Sequence, residues 1–351
     1  MNKKIVCHIG PGEDIPGGML SVIRGYMTSE YLRCYEHIHI ASVTAHHKIK
    51  TFILSYFKLK RLIKSKDVDI VHIHMSERGS CIRTVFFVNL CQKYSIPVIV
   101  HSHGSELEPW YFSLNKFLKK IFNNSMGKAD AIIVLTPGWI DFWSKIVLTK
   151  NIYVVPNYVS ICDVGDKEYL KDGCLKILFM GQIGNRKGTY DLVRAVKILK
   201  NSGRKVHLNI CGDGECEKCR ELIKRNNLSN EIEVVGWISG NKKKLELKNA
   251  DCLVLPSVYE SFGIVLLEGM ANKLPCLCGD GGYSKEIIEN NVDGFVIKSG
   301  DEKSIADALD KFFDEELIKK MGQKAYFNVS KKFSEKNVAK RLKELYNEIS
   351  K

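Results

Sequence analysis

The alternation of short apolar runs with longer helix-patterned segments limits what this chain can fold into more than any other feature. Six runs fall in the first half, at 4–10, 37–43, 69–75, 97–103, 131–136 and 152–157. Six more follow at 175–181, 205–212, 232–237, 251–257, 274–280 and 294–298. They are continuously apolar rather than alternating, as strands covered on both faces must be. Separated by helical stretches, they predict parallel α/β sheets. At 351 residues the chain exceeds one comfortable core, so two domains are expected. The halves also begin alike: "KKIVCHIGPGEDIPGG" and "CLKILFMGQIGNRKG" each run lysine, strand, glycine-rich turn, helix. The expected division is 1–158 and 174–333, joined by a polar linker at 159–173. A last helix over 334–351 carries Val338, Leu342 and Leu345 on one stripe and could pack back onto the first domain.

Charge is placed unevenly. Residues 1–150 hold 20 Lys+Arg against 11 Asp+Glu, whereas the remainder hold 33 against 29. A basic first half suits an anionic partner: a phosphorylated substrate, a membrane surface or nucleic acid. Charge alone favours nucleic acid, since no aromatic RNA-binding motif or other such module is present. The apolar run behind "MNKK" is too short for a signal peptide, and no stretch reaches the roughly 18 apolar residues of a membrane span. The expectation is a cytoplasmic protein. Most of the 12 cysteines lie inside apolar runs, the use made of reduced cysteines as small core residues. "CEKC" (216–219) lacks a second Cys or His pair, so a metal or redox role is disfavoured.

In open α/β sheets ligands sit beyond the carboxyl ends of the strands. Four strand-ending loops look specialised. Gly17 and Gly18 open a helix where backbone can approach a phosphate, or make a plain strand–helix turn. The pattern is not G-x-G-x-x-G, and the second strand lacks the acid that would hold a dinucleotide ribose, which counts against a dehydrogenase. His103 leaves a buried strand in "HSHG"; lone histidines are more often structural than catalytic. "GQIGNRKG" (181–188) puts Arg186 and Lys187 on a glycine-rich loop suited to a diphosphate, or on a solvated basic turn. "PSVYESFGIVLLEGM" (256–270) holds Glu260 and Glu268 eight positions apart in apolar surroundings, where an unpartnered charge is costly. A helix starting near Ser261 would aim the free N–H groups of Phe262, Gly263 and Ile264 at an acceptor-rich ligand, with both glutamates on nearly one face.

Together these elements resemble glycosyltransferase family 4, retaining enzymes of the GT-B fold, α/β proteins with two Rossmann-like domains facing each other across a cleft. The family's E-x7-E motif stands here as Glu260 and Glu268. The register runs on through "VVPN", "GDGE", "NADCLVLPS" and "GGYSKEII". The resemblance implies that Glu268 holds the ribose of a nucleotide-sugar, UDP-linked in preference to GDP-linked. Glu260 would meet the donor sugar, with Ser261 and the Phe262, Gly263 and Ile264 amides beside it. Lys187 would neutralise the diphosphate, aided by Arg186, because Gln182 stands where the family has arginine. Val235 and Gly236 would flank the base, Gly18 would touch the diphosphate, and His103 would sit by the anomeric carbon, with Gly17 toward the acceptor. No metal, no Asp-x-Asp metal site and no cofactor are expected, because cationic side chains and helix N-termini supply the charge. The expected acceptor is a saccharide or a polyprenyl-diphosphate-linked saccharide, as in capsule or O-antigen assembly. Segments 48–66, with seven Lys+Arg, and 112–128, with Leu114, Phe117, Leu118, Ile121 and Phe122 at helical spacing, could rest on the anionic inner face of a membrane. The rivals are a nucleotide-sugar epimerase of the same fold, and an inverting enzyme using His103 as base.

Overall fold

The computed structural model describes residues 3–15, 17–147 and 151–350. All twelve apolar runs form strands: β1 Lys4–Pro11, β2 Tyr35–Val43, β3 Ile70–Met75, β4 Val98–Ser102, β5 Ala131–Val134 and β6 Ile152–Val154, then β7 Cys174–Met180, β8 Lys205–Cys211, β9 Ile232–Val234, β10 Cys252–Leu255, β11 Cys276–Gly279 and β12 Gly294–Ile297. They make two six-stranded sheets in which every pairing is parallel. Every residue of β3, β4, β5, β10 and β11 is buried, which explains why those runs show no period of two.

The chain divides into two compact units, one of residues up to 158 with those from 335 onward, the other of residues 159–334. In the first unit the order is β2-β1-β3-β4-β5-β6, so the chain changes direction across the sheet at β1. The helix Glu335–Ile349 completes this unit, burying Val338, Leu342, Leu345 and Tyr346. In the second unit the order is β12-β11-β10-β7-β8-β9, the doubly wound arrangement, with its switch point between β7 and β10. The stretch 159–173 groups with this unit; most of it is exposed, and it is anchored toward its end. Tyr169 is buried, its hydroxyl donates to Lys273 O at 2.6 Å, and Leu170 N donates to Asp251 Oδ1 at 3.3 Å.

Candidate functional site

The second unit places its specialised loops on the two strands that flank its switch point. The loop after β7 carries Arg186 and Lys187; the loop after β10 carries Glu260 to Gly263. They are knitted together by Val258 N donating to Arg186 O at 2.9 Å. Gly188, at φ +68°, lets the loops close, because a Cβ there would lie 2.1 Å from Pro256 O. Lys187 Nζ forms an ion pair with Glu260 Oε2, both side chains largely buried, and Ser261 N donates to Glu260 Oε1 at 3.2 Å. The lysine expected to meet a diphosphate and the glutamate expected to meet a sugar are thus each other's partners.

The helix begins later than its sequence suggests. It runs Ile264–Ala271 with Gly263 as N-cap at φ 82°, and Glu260 lies outside it, bridged to Gly282, with Tyr283 N donating to Glu260 O at 2.8 Å. The two glutamates therefore do not share a helix face. The free N–H groups move to Ile264 and its successor, and the Phe262 ring is core, packed edge-on against Phe333. Glu268 does lie on the helix. Its Oε1 accepts from Lys243 Nζ at 2.5 Å, and its Oε2 is buried without a partner. An orphaned carboxylate oxygen is costly unless a ligand hydroxyl donates to it. Lys243, on the helix Gly240–Asn249, was not legible as a site residue, because its approach to Glu268 depends on how two helices pack. Past β9, Val235 N donates to Ile210 O at 3.0 Å and Gly236 O accepts from Gly212 N at 2.9 Å, which leaves Trp237 exposed.

In the first unit Gly17 caps and Gly18 starts the helix Gly18–Thr28 beside β1, at the strand where the sheet order reverses. Gly17 and Gly18 line a cavity of about 240 Å³ with Ser42, His74, Ser80 and Arg83. His103 follows β4 and is one of a cluster. Because "HIH" (37–39), "HIH" (72–74) and "HSH" (101–103) alternate along strands, these histidines and His8 fall on one face of the sheet. Burial first, then the neighbouring imidazoles, holds His8, His72, His74 and His101 well below the ordinary histidine value, and burial brings His103 down to about 3. His103 is therefore neutral near pH 7, a hydrogen-bonding group and only a weak base. His8, His72 and His74, and separately His74, His101 and His103, bring ring nitrogens within 4.8 Å and could ligate a metal. The paired "H-x-H" spacing was the available signal for all but His8. One Asp-x-Asp triplet, Asp67 to Asp69, lies at the opposite end of the sheet, before β3, where Asp69 Oδ2 accepts from Ile5 N at 2.7 Å. Cys219 is buried with its thiol pushed up to about 11, as a core residue would be.

The model for "Glycosyltransferase Family 4" matches residues 22–161 and that for "Glycosyl transferases group 1" matches residues 166–327. An uncharacterized glycosyltransferase of Methanocaldococcus jannaschii is 26% identical over 310 residues, covering 86% of this chain and 81% of that protein. The UDP-Gal:alpha-D-GlcNAc-diphosphoundecaprenol alpha-1,3-galactosyltransferase of Escherichia coli is 24% identical over 315 residues, covering 83% and 78%. Among solved structures, HepE of Anabaena in complex with UDP superposes with a TM-score of 0.77 at 15% identity, covering 98% of this chain and 100% of that one.

Proposed function

With one glycosyltransferase family model matched in each half, the chain is a glycosyltransferase of the GT-B fold, and we propose that it is a retaining, metal-independent enzyme that moves a hexosyl group from a UDP-sugar to a saccharide or lipid-linked saccharide. The observation that carries the reading is the state of the two glutamates at the switch point of the second unit. Glu268 keeps a buried, unpartnered oxygen suited to a ribose hydroxyl, while Glu260 is held against Lys187. A diphosphate arriving at Lys187 would compete with Glu260 for the ammonium and free that carboxylate for sugar hydroxyls. Arg186 and the N-terminus of the helix Ile264–Ala271 add positive potential at the same loops, where charge builds as the leaving group departs. Val235 and Gly236 offer backbone groups to the base. In the first unit this reading gives Gly18 a backbone contact to phosphate, Gly17 an acceptor contact, and His103 a neutral hydrogen bond to a sugar hydroxyl. The UDP-Gal donor and diphosphoundecaprenol-linked acceptor named for one relative, and the UDP bound in a structural neighbour, support a nucleotide-sugar donor and a lipid-linked acceptor. On this reading the enzyme serves polysaccharide assembly of the capsule or O-antigen kind. An epimerase is not favoured.

The membrane partner in this proposal rests on the first unit. Among the described residues no helix is long and apolar enough to cross a membrane. The helices Lys48–Ser65 and Lys116–Met126 nevertheless expose Ile49, Leu54, Phe57, Phe117 and Leu118 among their lysines, with Phe117 71% exposed. Apolar side chains ringed by cations suit the interface of an anionic bilayer. Flotation with phosphatidylglycerol vesicles tests this, and absence of binding at moderate salt would end it. For the donor, calorimetry with UDP and GDP in EDTA, on wild type and Glu268→Ala, gives binding of UDP without metal that weakens in the variant. The anomer formed, read by NMR of the product, separates retention from inversion.

A further inference from the structure

Four imidazoles form an unbroken hydrogen-bonded row through the first unit. His37 Nδ1 lies 3.1 Å from His8 Nε2, His8 Nδ1 lies 3.1 Å from His74 Nε2, and His74 Nδ1 lies 3.0 Å from His103 Nε2. The far nitrogen of His37, Nε2, faces the carbonyl oxygen of Leu32 at 3.3 Å. These are N–H···N and N–H···O distances. The rings are neutral, so each carries one proton and one lone pair.

That is enough to assign every proton in the row. A carbonyl oxygen only accepts, so His37 carries its proton on Nε2 and presents a lone pair at Nδ1. His8 must then donate from Nε2 and accept at Nδ1, and His74 must do likewise. His103 is left donating from Nε2 to His74, with its lone pair on Nδ1, at the half-buried outer end of the row. We infer that the Leu32 carbonyl, acting through His37, His8 and His74 as positioning residues, fixes His103 in the Nε2–H tautomer and so makes its Nδ1 a hydrogen-bond acceptor for a ligand hydroxyl.

The second histidine row offers a contrast. His101 Nδ1 lies 3.2 Å from His72 Nε2, and His72 Nδ1 lies 2.6 Å from the Tyr346 hydroxyl. A hydroxyl can donate or accept, so nothing at that end pins the direction. The pinned row also argues against a metal. Both candidate trios include His74, and both nitrogens of His74 are already engaged by other imidazoles, so coordination would have to break the row. That His103 uses Nδ1 on a sugar hydroxyl rests on the glycosyltransferase reading; the tautomer does not.

The test is long-range ¹H–¹⁵N correlation NMR of the full chain labelled with ¹⁵N-histidine, with His103 assigned by the loss of its signals in His103→Gln. Wild type is expected to show His103 protonated on Nε2 alone. His37→Phe removes the acceptor for His8, so either direction of the row leaves one nitrogen unpaired and both tautomers become populated. His37→Gln can give its amide NH2 to the Leu32 carbonyl and turn its oxygen to His8 Nε2, which restores the single tautomer. If only one tautomer is competent, equal populations lower kcat by about two-fold with little change in the donor KM, and the glutamine variant recovers it. Protonation of His103 on Nδ1 in wild type overturns the inference, as does an unchanged single tautomer in folded His37→Phe. Stoichiometric zinc binding that abolishes the His8 and His74 N–H signals also overturns it. A tautomer change in His37→Phe without any change in kcat upholds the row and removes His103 from the reaction, which distinguishes failure of the two readings.

Discussion

The buried histidines should make the first unit acid-labile far above the pH at which carboxylates protonate. Folding lowers the affinity of His8, His72, His74, His101 and His103 for protons, while the unfolded chain keeps the ordinary value near 6.5. The sign follows from linkage. A group depressed by folding contributes stability that is present above its unfolded value and lost as pH falls, because protons then bind only the unfolded chain. Between pH 7.5 and 5.5 each such imidazole costs about 1.4 kcal/mol, and five together about 7 kcal/mol. That is comparable to the whole stability of a typical domain, about 5–15 kcal/mol. Trp139 and Trp143 are fully buried in this unit and report its unfolding by fluorescence. Urea titrations at pH 7.5, 6.5, 6.0 and 5.5 should give a free energy that falls more and more steeply, reaching an uptake of four to five protons on unfolding. An uptake below about two protons, together with imidazoles that titrate near their ordinary value in the folded protein, would refute the reasoning.

Lys187→Met strands the buried Glu260 carboxylate and should cost about 3 kcal/mol, the low end for a broken buried pair because the side chains keep 15% and 9% exposure. Adding Glu260→Gln should recover most of that in urea unfolding; additive losses would mean the pair is not coupled. Gly188→Ala sets a Cβ against Pro256 O at 2.1 Å with φ at +68°, and should cost more than about 2 kcal/mol and lower the melting temperature by at least roughly 4 °C. An unchanged melting temperature would show that the loop relaxes freely. Glu268→Ala removes the acceptor proposed for the ribose and should weaken UDP binding about ten- to a hundred-fold by calorimetry. Equal affinity would move the nucleotide elsewhere.

What the sequence determined by itself is the strand inventory and the loops that matter. Parallel strands covered on both faces leave continuous apolar runs, so all twelve could be read, and the glycine-rich loops at their ends marked Gly18, Lys187 and the two glutamates. Local pattern could not find where the helix before Glu268 begins. Gly263 adopts a left-handed cap and the Glu260–Gly282 bridge holds the chain extended, so a tertiary contact overrides a helical periodicity that already includes Ser261. Lys187 and Glu260 were each legible as charges but not as partners, since the pair forms only when β10 lies beside β7. The histidines show the same division. Their spacing of two along a strand assigns them to one face, and that much is local. Whether His8 meets His74 depends on the register of β1 against β2 and β3, which is set by packing across the sheet and leaves no mark in any one segment.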